Sequence, residues 1–201
     1  MLSKFLSGVC AGLMIAIGGT VYLSCENKYV GAALFSVALF CICLKGYSLF
    51  TGKIGFIPES HTKEDLSVLF LGLIGNAVST VLLGFAVSFA LPALGPAAAA
   101  ICEAKLGQEA LQTFIRAFFC GVLMYLAVSI YREKNSVLGI FLCIPTFILS
   151  GFEHSIANMF YFGVSGMVLP RSALYILIVI LGNAAGGMAL PFLNKTVKRG
   201  A

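Results

Sequence analysis

Charge is what this chain has least of. Aspartate, glutamate, lysine and arginine make up 10% of its 201 residues, against about a quarter in a soluble domain. With 60% hydrophobic residues and a mean hydropathy of +1.01, a water-soluble fold is excluded. Histidine is scarce too: there are two. The one inside an apolar run, His154, has a single carboxylate beside it, too few ligands for a usual zinc site. The seven cysteines form no CxxC pair and lie mostly within apolar runs, so they read as small buried hydrophobes rather than metal ligands or disulfides. Neither metal nor cofactor is expected. No serine or cysteine nucleophile has a supporting base at a usable spacing, which argues against an enzyme. The net charge of +5 comes from basic residues scattered at the ends of apolar runs, so nucleic acid is not an expected partner. The lipid bilayer is.

What the chain does have is apolar sequence in long stretches. Its length holds about six helical spans of about 20 residues with short loops, and a single membrane domain over 1–201. Spans are expected at 5–24, from 29 through a break, and at 66–91, 109–131, 137–167 and 172–193. The first is longer than a signal-peptide core and is read as a retained helix. The stretch 92–108, with its prolines and alanine run, reads as a long link.

Two of the spans do not read as simple helices. The second meets Lys45-Gly46-Tyr47-Ser48-Leu49-Phe50-Thr51-Gly52-Lys53, whose glycines, hydroxyls and lysines do not suit a lipid-facing helix. The fifth is too long for one straight crossing and contains Gly151-Phe152-Glu153-His154-Ser155-Ile156-Ala157-Asn158-Met159. Ionisable residues at that depth are costly and usually functional, and broken helices are tolerated where they line a cavity.

Gly75-Asn76-Ala77 in the third span matches Gly182-Asn183-Ala184 in the sixth. The chain therefore reads as two three-span repeats, about 5–91 and 109–193. Three is odd, so the repeats face opposite ways, and their breaks meet near the midplane. Lys4, Lys53, Lys63, Arg132, Lys134 and the basic tail Lys195, Lys198 and Arg199 fall on the side of the termini, against Lys28, Lys105 and Arg171 opposite. By the positive-inside rule both termini are cytoplasmic.

In order and spacing, Leu49-Phe50-Thr51-Gly52, Lys105, Cys120, the Glu153-His154-Ser155-x-Ala157-Asn158-Met159 string and Gly182-Asn183 resemble the formate/nitrite transporter family, of which this would be a short member. The resemblance implies an aquaporin-like fold in a homopentamer, one pore per protomer, in a bacterial inner membrane. The pore would pass small monovalent anions such as formate, nitrite or hydrosulfide, or their conjugate acids. It implies pore roles for His154, Thr51, Asn158 and Lys105. Leu49 and Phe50 would form the constriction on the cytoplasmic side, and Phe35, Leu39 and Phe147 the one on the outer side. Ser48 and Lys53 depart from the family, which often has an acidic residue and an asparagine there, and Gly121 stands where an asparagine is common.

A bare anion in hydrocarbon faces a penalty of order tens of kcal/mol, its neutral acid only a few. Histidine, with an unperturbed pKa of about 6.5, is suited to supply the proton. The expected mechanism is that an entering anion raises the proton affinity of His154, which hydrogen-bonds to it or protonates it. Thr51 positions substrate or ring, and Lys105 gathers anions at the mouth. Two readings stand for Lys45 and Lys53: snorkelling to the surface, or adding positive potential to the inner vestibule. Glu153 and Gly151 read as structural at the break, since adjacent helical residues point about 100° apart. The alternative function is a neutral-solute pore, though the Asn-Pro-Ala pairs of aquaporins are absent.

Overall fold

The computed structural model describes residues 1–200, with side chains placed through Lys195. The side chains of Lys198 and Arg199, two of the basic residues counted toward topology, lie outside the described residues. The chain folds into nine α-helices among the described residues: α1 (Leu2–Ser24), α2 (Lys28–Lys45), α3 (Phe50–Lys53), α4 (Lys63–Ala90), α5 (Gly95–Leu106), α6 (Ala110–Lys134), α7 (Leu138–Leu149), α8 (Ser155–Ser165) and α9 (Pro170–Gly200). Five, namely α1, α2, α4, α6 and α9, are long and apolar enough to cross a bilayer. The fifth span of the sequence is shared by α7 and α8, of 12 and 11 residues. This is an all-α membrane fold, interrupted in the second and fifth spans as expected.

Local chemistry sets the helix ends. Asn27 caps α2, its side-chain oxygen accepting the N–H groups of Tyr29 and Val30. The same helix stops at Gly46, whose φ of +70° is left-handed and carries no Cβ penalty for glycine. That stop opens the first break. Helix α4 begins at Lys63, ahead of the expected 66, because Thr62 and Asp65 form a reciprocal capping box.

One expectation is corrected. Residues 92–108 are not a link but a 3-10 turn, Pro92–Leu94, followed by α5. The prolines stand in the first turn of each, where no N–H is needed, and the alanine run is the strongest helix former available. Ala98, Cys102 and Leu106, four residues apart and buried, form the inward face, and α5 packs on α8.

Helix α1 packs most extensively on α4, and α6 on α9, with α2 against α7. Helices in lipid associate through close packing rather than the hydrophobic effect, so small residues mark the contacts. A Cβ on Gly75 would fall on the carbonyl oxygen of Phe5, and one on Gly186 on that of Phe118. Only glycine permits these two backbones to approach so closely.

Candidate functional site

The interrupted spans leave backbone groups without helical partners at depth, where each unsatisfied group is expensive. Two asparagines take them up. In α4, Asn76 accepts the N–H of Phe50 at 3.0 Å and donates to the carbonyls of Ser48 at 3.0 Å and Gly8 at 2.8 Å. In α9, Asn183 accepts the N–H of Ser155 at 2.9 Å and donates to the carbonyls of Glu153 at 2.8 Å and Ala117 at 2.9 Å. Both are fully buried. The bonding pattern is the same on both sides: each amide grips the residue before and the residue after one position in the break, and a helix from its own half. That position is Leu49 in one break and His154 in the other. The sequence marks the two asparagines as a repeated motif, but nothing local says which backbone they hold.

His154 stands at the N-terminus of α8 and caps it, Nδ1 accepting the N–H of Ala157 at 3.1 Å. With Nδ1 acting as acceptor, the neutral ring carries its proton on Nε2. Nε2 lies 2.8 Å from Thr51 Oγ1 in α3, so the ring donates and the threonine oxygen accepts. The Thr51 hydroxyl proton is thereby left for a further acceptor. One hydrogen bond thus joins the two breaks across 103 residues of chain. The ring of Phe147 stacks on the imidazole, centroids 5.6 Å apart and planes 16° apart.

Two cavities approach this bond from opposite ends. On the side of the N-terminus, one of about 600 Å³ is lined by Leu39, Leu49, Gly52, Lys53, Tyr131 and Arg132 among others. On the far side, one of about 240 Å³ is lined by residues including Phe35, Lys105, Phe147, Glu153, His154 and Asn158. Leu49 borders the first and His154 the second. Leu39 is placed differently from expectation: it borders the terminal-side cavity with Leu49, not the far-side one with Phe35 and Phe147. Four residues along α2 are about 6 Å, enough to carry it past the level of Phe35. Phe50 and Thr51 are buried and line neither cavity. Gly151 has a left-handed φ of +68°, which lets the chain turn between α7 and Glu153. Lys45 is exposed, whereas Lys53 is half-buried.

The carboxylate of Glu153, 2% exposed, receives hydrogen bonds from Lys105 Nζ, Gln108 Nε2 at 2.8 Å and Asn158 Nδ2 at 2.9 Å. Lys105 and Asn158 border the cavity as expected, but both spend donors on Glu153. Lys105 therefore presents a compensated charge to the vestibule. Arg116, which sequence reasoning missed, lines the same cavity and makes no ion pair among the described residues.

Removing one partner of a buried pair strands the other charge at a cost of about 3–5 kcal/mol, while neutralising both is far milder. Lys105→Met is accordingly expected to melt well below the wild type in detergent. Lys105→Met/Glu153→Gln should recover most of the loss. A double variant no more stable than the single one would show that Lys105 does not serve Glu153.

The family model described as formate/nitrite transporter matches residues 1–195. A formate-nitrite transporter of Plasmodium ovale is 28% identical over 80% of this chain and 61% of its own length, so the chain spans less than two thirds of that relative. The nitrite transporter NirC of Escherichia coli (strain K12) is 27% identical over 82% of this chain and 69% of its own. A solved pentameric formate channel with formate bound superposes with a TM-score of 0.79 at 24% identity, covering 100% of this chain and 98% of that one.

Proposed function

The chain belongs to the formate/nitrite transporter family, whose model matches residues 1–195, and we propose that it forms a pore passing small monovalent anions of the formate, nitrite and hydrosulfide class as their neutral acids. The observation that carries this reading is the Thr51–His154 hydrogen bond, set between two cavities with Leu49 bordering one and the imidazole the other. An anion that reaches this pair meets the Thr51 hydroxyl hydrogen, and the Nε2 hydrogen once that turns from the Thr51 oxygen that accepts it. Since Nδ1 is committed to capping α8, the ring stays neutral and donates through Nε2, and the proton that neutralises the anion is drawn from water in the adjoining cavity. Hydrogen bonding to these groups, followed by protonation, converts a species that costs tens of kcal/mol in an apolar passage into one that costs a few. The neutral acid then crosses the layer of Leu49 and Phe50 to one side, or passes Phe35 and Phe147 to the other.

The matched bonding of Asn76 and Asn183 supports reading the chain as an inverted repeat over about 5–91 and 109–193. The pentameric neighbour supports a homopentamer with one pore per protomer. The positive-inside rule supports both termini on the cytoplasmic side, and the proposed setting is a bacterial inner membrane. The terminal-side cavity is then cytoplasmic.

The test is flux of formate, nitrite and hydrosulfide into proteoliposomes across a pH series. At least one should move, at a rate rising with acidity by less than the roughly tenfold per pH unit that the neutral fraction of an acid far above its pKa would give. If none moves, the reading is wrong and neutral solutes become the substrates to try.

A further inference from the structure

The terminal-side cavity contains two cations that the proposed route does not use. Lys53 ends α3, two residues after Thr51, and lines the cavity together with Arg132 near the end of α6. The Arg132 guanidinium lies over the ring of Phe56, 4.0 Å from its centroid. Neither cation makes an ion pair: among the described residues the two pairs are Lys4–Glu64 and Lys105–Glu153. The carboxylate bordering the cavity is Asp65, and it is occupied locally. Its Oδ2 accepts the hydroxyls of Ser60 at 2.6 Å and Thr62 at 2.7 Å, and the Thr62 N–H at 3.1 Å.

The rest of the wall includes Leu39, Ile42, Leu49 and Val128. A largely apolar cleft with two cations against one carboxylate is net positive, focuses its field into the space between the cations and enriches counter-ions there. In the far-side cavity the lysine is paired with Glu153, and Arg116 is the cation left without an ion pair among the described residues. Lys45 shows the alternative fate of a lysine at this break: it is exposed and borders neither cavity.

We propose that the terminal-side cavity is an anion-binding subsite, in which Lys53 and Arg132 together hold a small monovalent anion in front of Leu49. Lys53 sets the local anion concentration on that side and so the loading of the pore from it. The effect on loading rests on the pore reading given above. The binding itself does not.

The chain contains no tryptophan, so Phe56→Trp places a sole tryptophan, excited selectively over the tyrosines, beneath Arg132, where an indole keeps the cation–π contact. The measurement is quenching of purified protein in detergent by iodide, with neutral acrylamide as the reference for access. In low salt the iodide-to-acrylamide quenching ratio should fall about three- to tenfold on adding Lys53→Asn, an enrichment at the low end of what a focused field supplies. Lys53→Arg should restore it. Raising ionic strength should erase the difference through screening, and formate, which does not quench, should protect against iodide. A ratio unmoved by Lys53→Asn overturns the proposal. Should Phe56→Trp not assemble, Tyr131→Trp reports on the same cavity.

The transport arm uses uniformly oriented proteoliposomes. Lys53→Asn should raise the half-saturating formate concentration about three- to tenfold from the terminal side and leave the far side unchanged. Iodide enrichment without flux of any anion retains the subsite and removes the pore reading. Normal flux with an unmoved iodide ratio does the reverse.

Discussion

His154→Asn is expected to cut anion flux at neutral pH by about 10- to 150-fold while leaving the protein assembled. A hydrogen bond to a charged group contributes about 1.5–3 kcal/mol, and that range converts to this factor in rate when the bond is made only on the way across the apolar layer. The choice of asparagine matters. His154 both faces the far-side cavity and caps α8 through Ala157, so alanine would remove a cap worth about 1 kcal/mol along with the proton donor. Asparagine is among the best N-caps and does not titrate, which leaves the helix start in place and removes the imidazole together with its bond to Thr51 and its stacking on Phe147.

The pH series distinguishes the two roles further. Without the histidine, the pore passes only acid already neutral in bulk. Flux through His154→Asn should climb more steeply with acidity than wild type, by up to about tenfold per pH unit, and the two curves should converge at low pH. Wild-type rates at every pH would make His154 a structural cap and nothing more.

Asn183→Leu is expected to abolish recovery of assembled protein, and Asn76→Leu to do the same. The leucine fills similar space but strands the Ser155 N–H and the Glu153 carbonyl in a site with no solvent access, and removes the second bond to the helical carbonyl of Ala117. Each stranded group costs about 1–3 kcal/mol, so the two cost about 2–6 kcal/mol, against a typical total stability of about 5–15 kcal/mol. Asn183→Asp keeps the acceptor for Ser155 and loses both donors, so its melting point should fall between. Size-exclusion profiles and thermal melts in detergent read this directly. A monodisperse Asn183→Leu protein melting within a few degrees of wild type would falsify the clamp.

The matched pairs of bonds explain why the two halves share a Gly-Asn motif but not the residues around the breaks. Asn76 and Asn183 must each reach a backbone break, so their type is constrained. The gripped positions border the two cavities and are free to differ, apolar Leu49 in one break and titratable His154 in the other. The same logic accounts for Ser48 where relatives often carry an acid. It sits opposite Ser7, whose hydroxyl accepts the Ser48 N–H at 3.0 Å and donates to the Ser48 hydroxyl at 3.1 Å, so this break is tied by neutral groups. Glu153, its counterpart, needs Lys105, Gln108 and Asn158.

Hydropathy, spacing and turn chemistry alone determined that this chain is a helical membrane protein, where its spans run, that the second and fifth are broken, and that the polar residues of those breaks matter. All of these are local properties, carried by runs of a few to twenty residues. Helix α5 was also local, in the alanine run and the prolines at its start, but was obscured by reading those prolines as breakers instead of first-turn residues.

Only the tertiary structure decided who meets whom. Thr51 bonds His154 across 103 residues, Lys105 is spent on Glu153 across 48, Asn76 and Asn183 close breaks 26 and 28 residues away, and Leu39 falls on the opposite side from Phe35. These depend on how far one helix slides and turns against another. That is set by glycine contacts and by the need to satisfy buried backbone, which no pattern within a single span records.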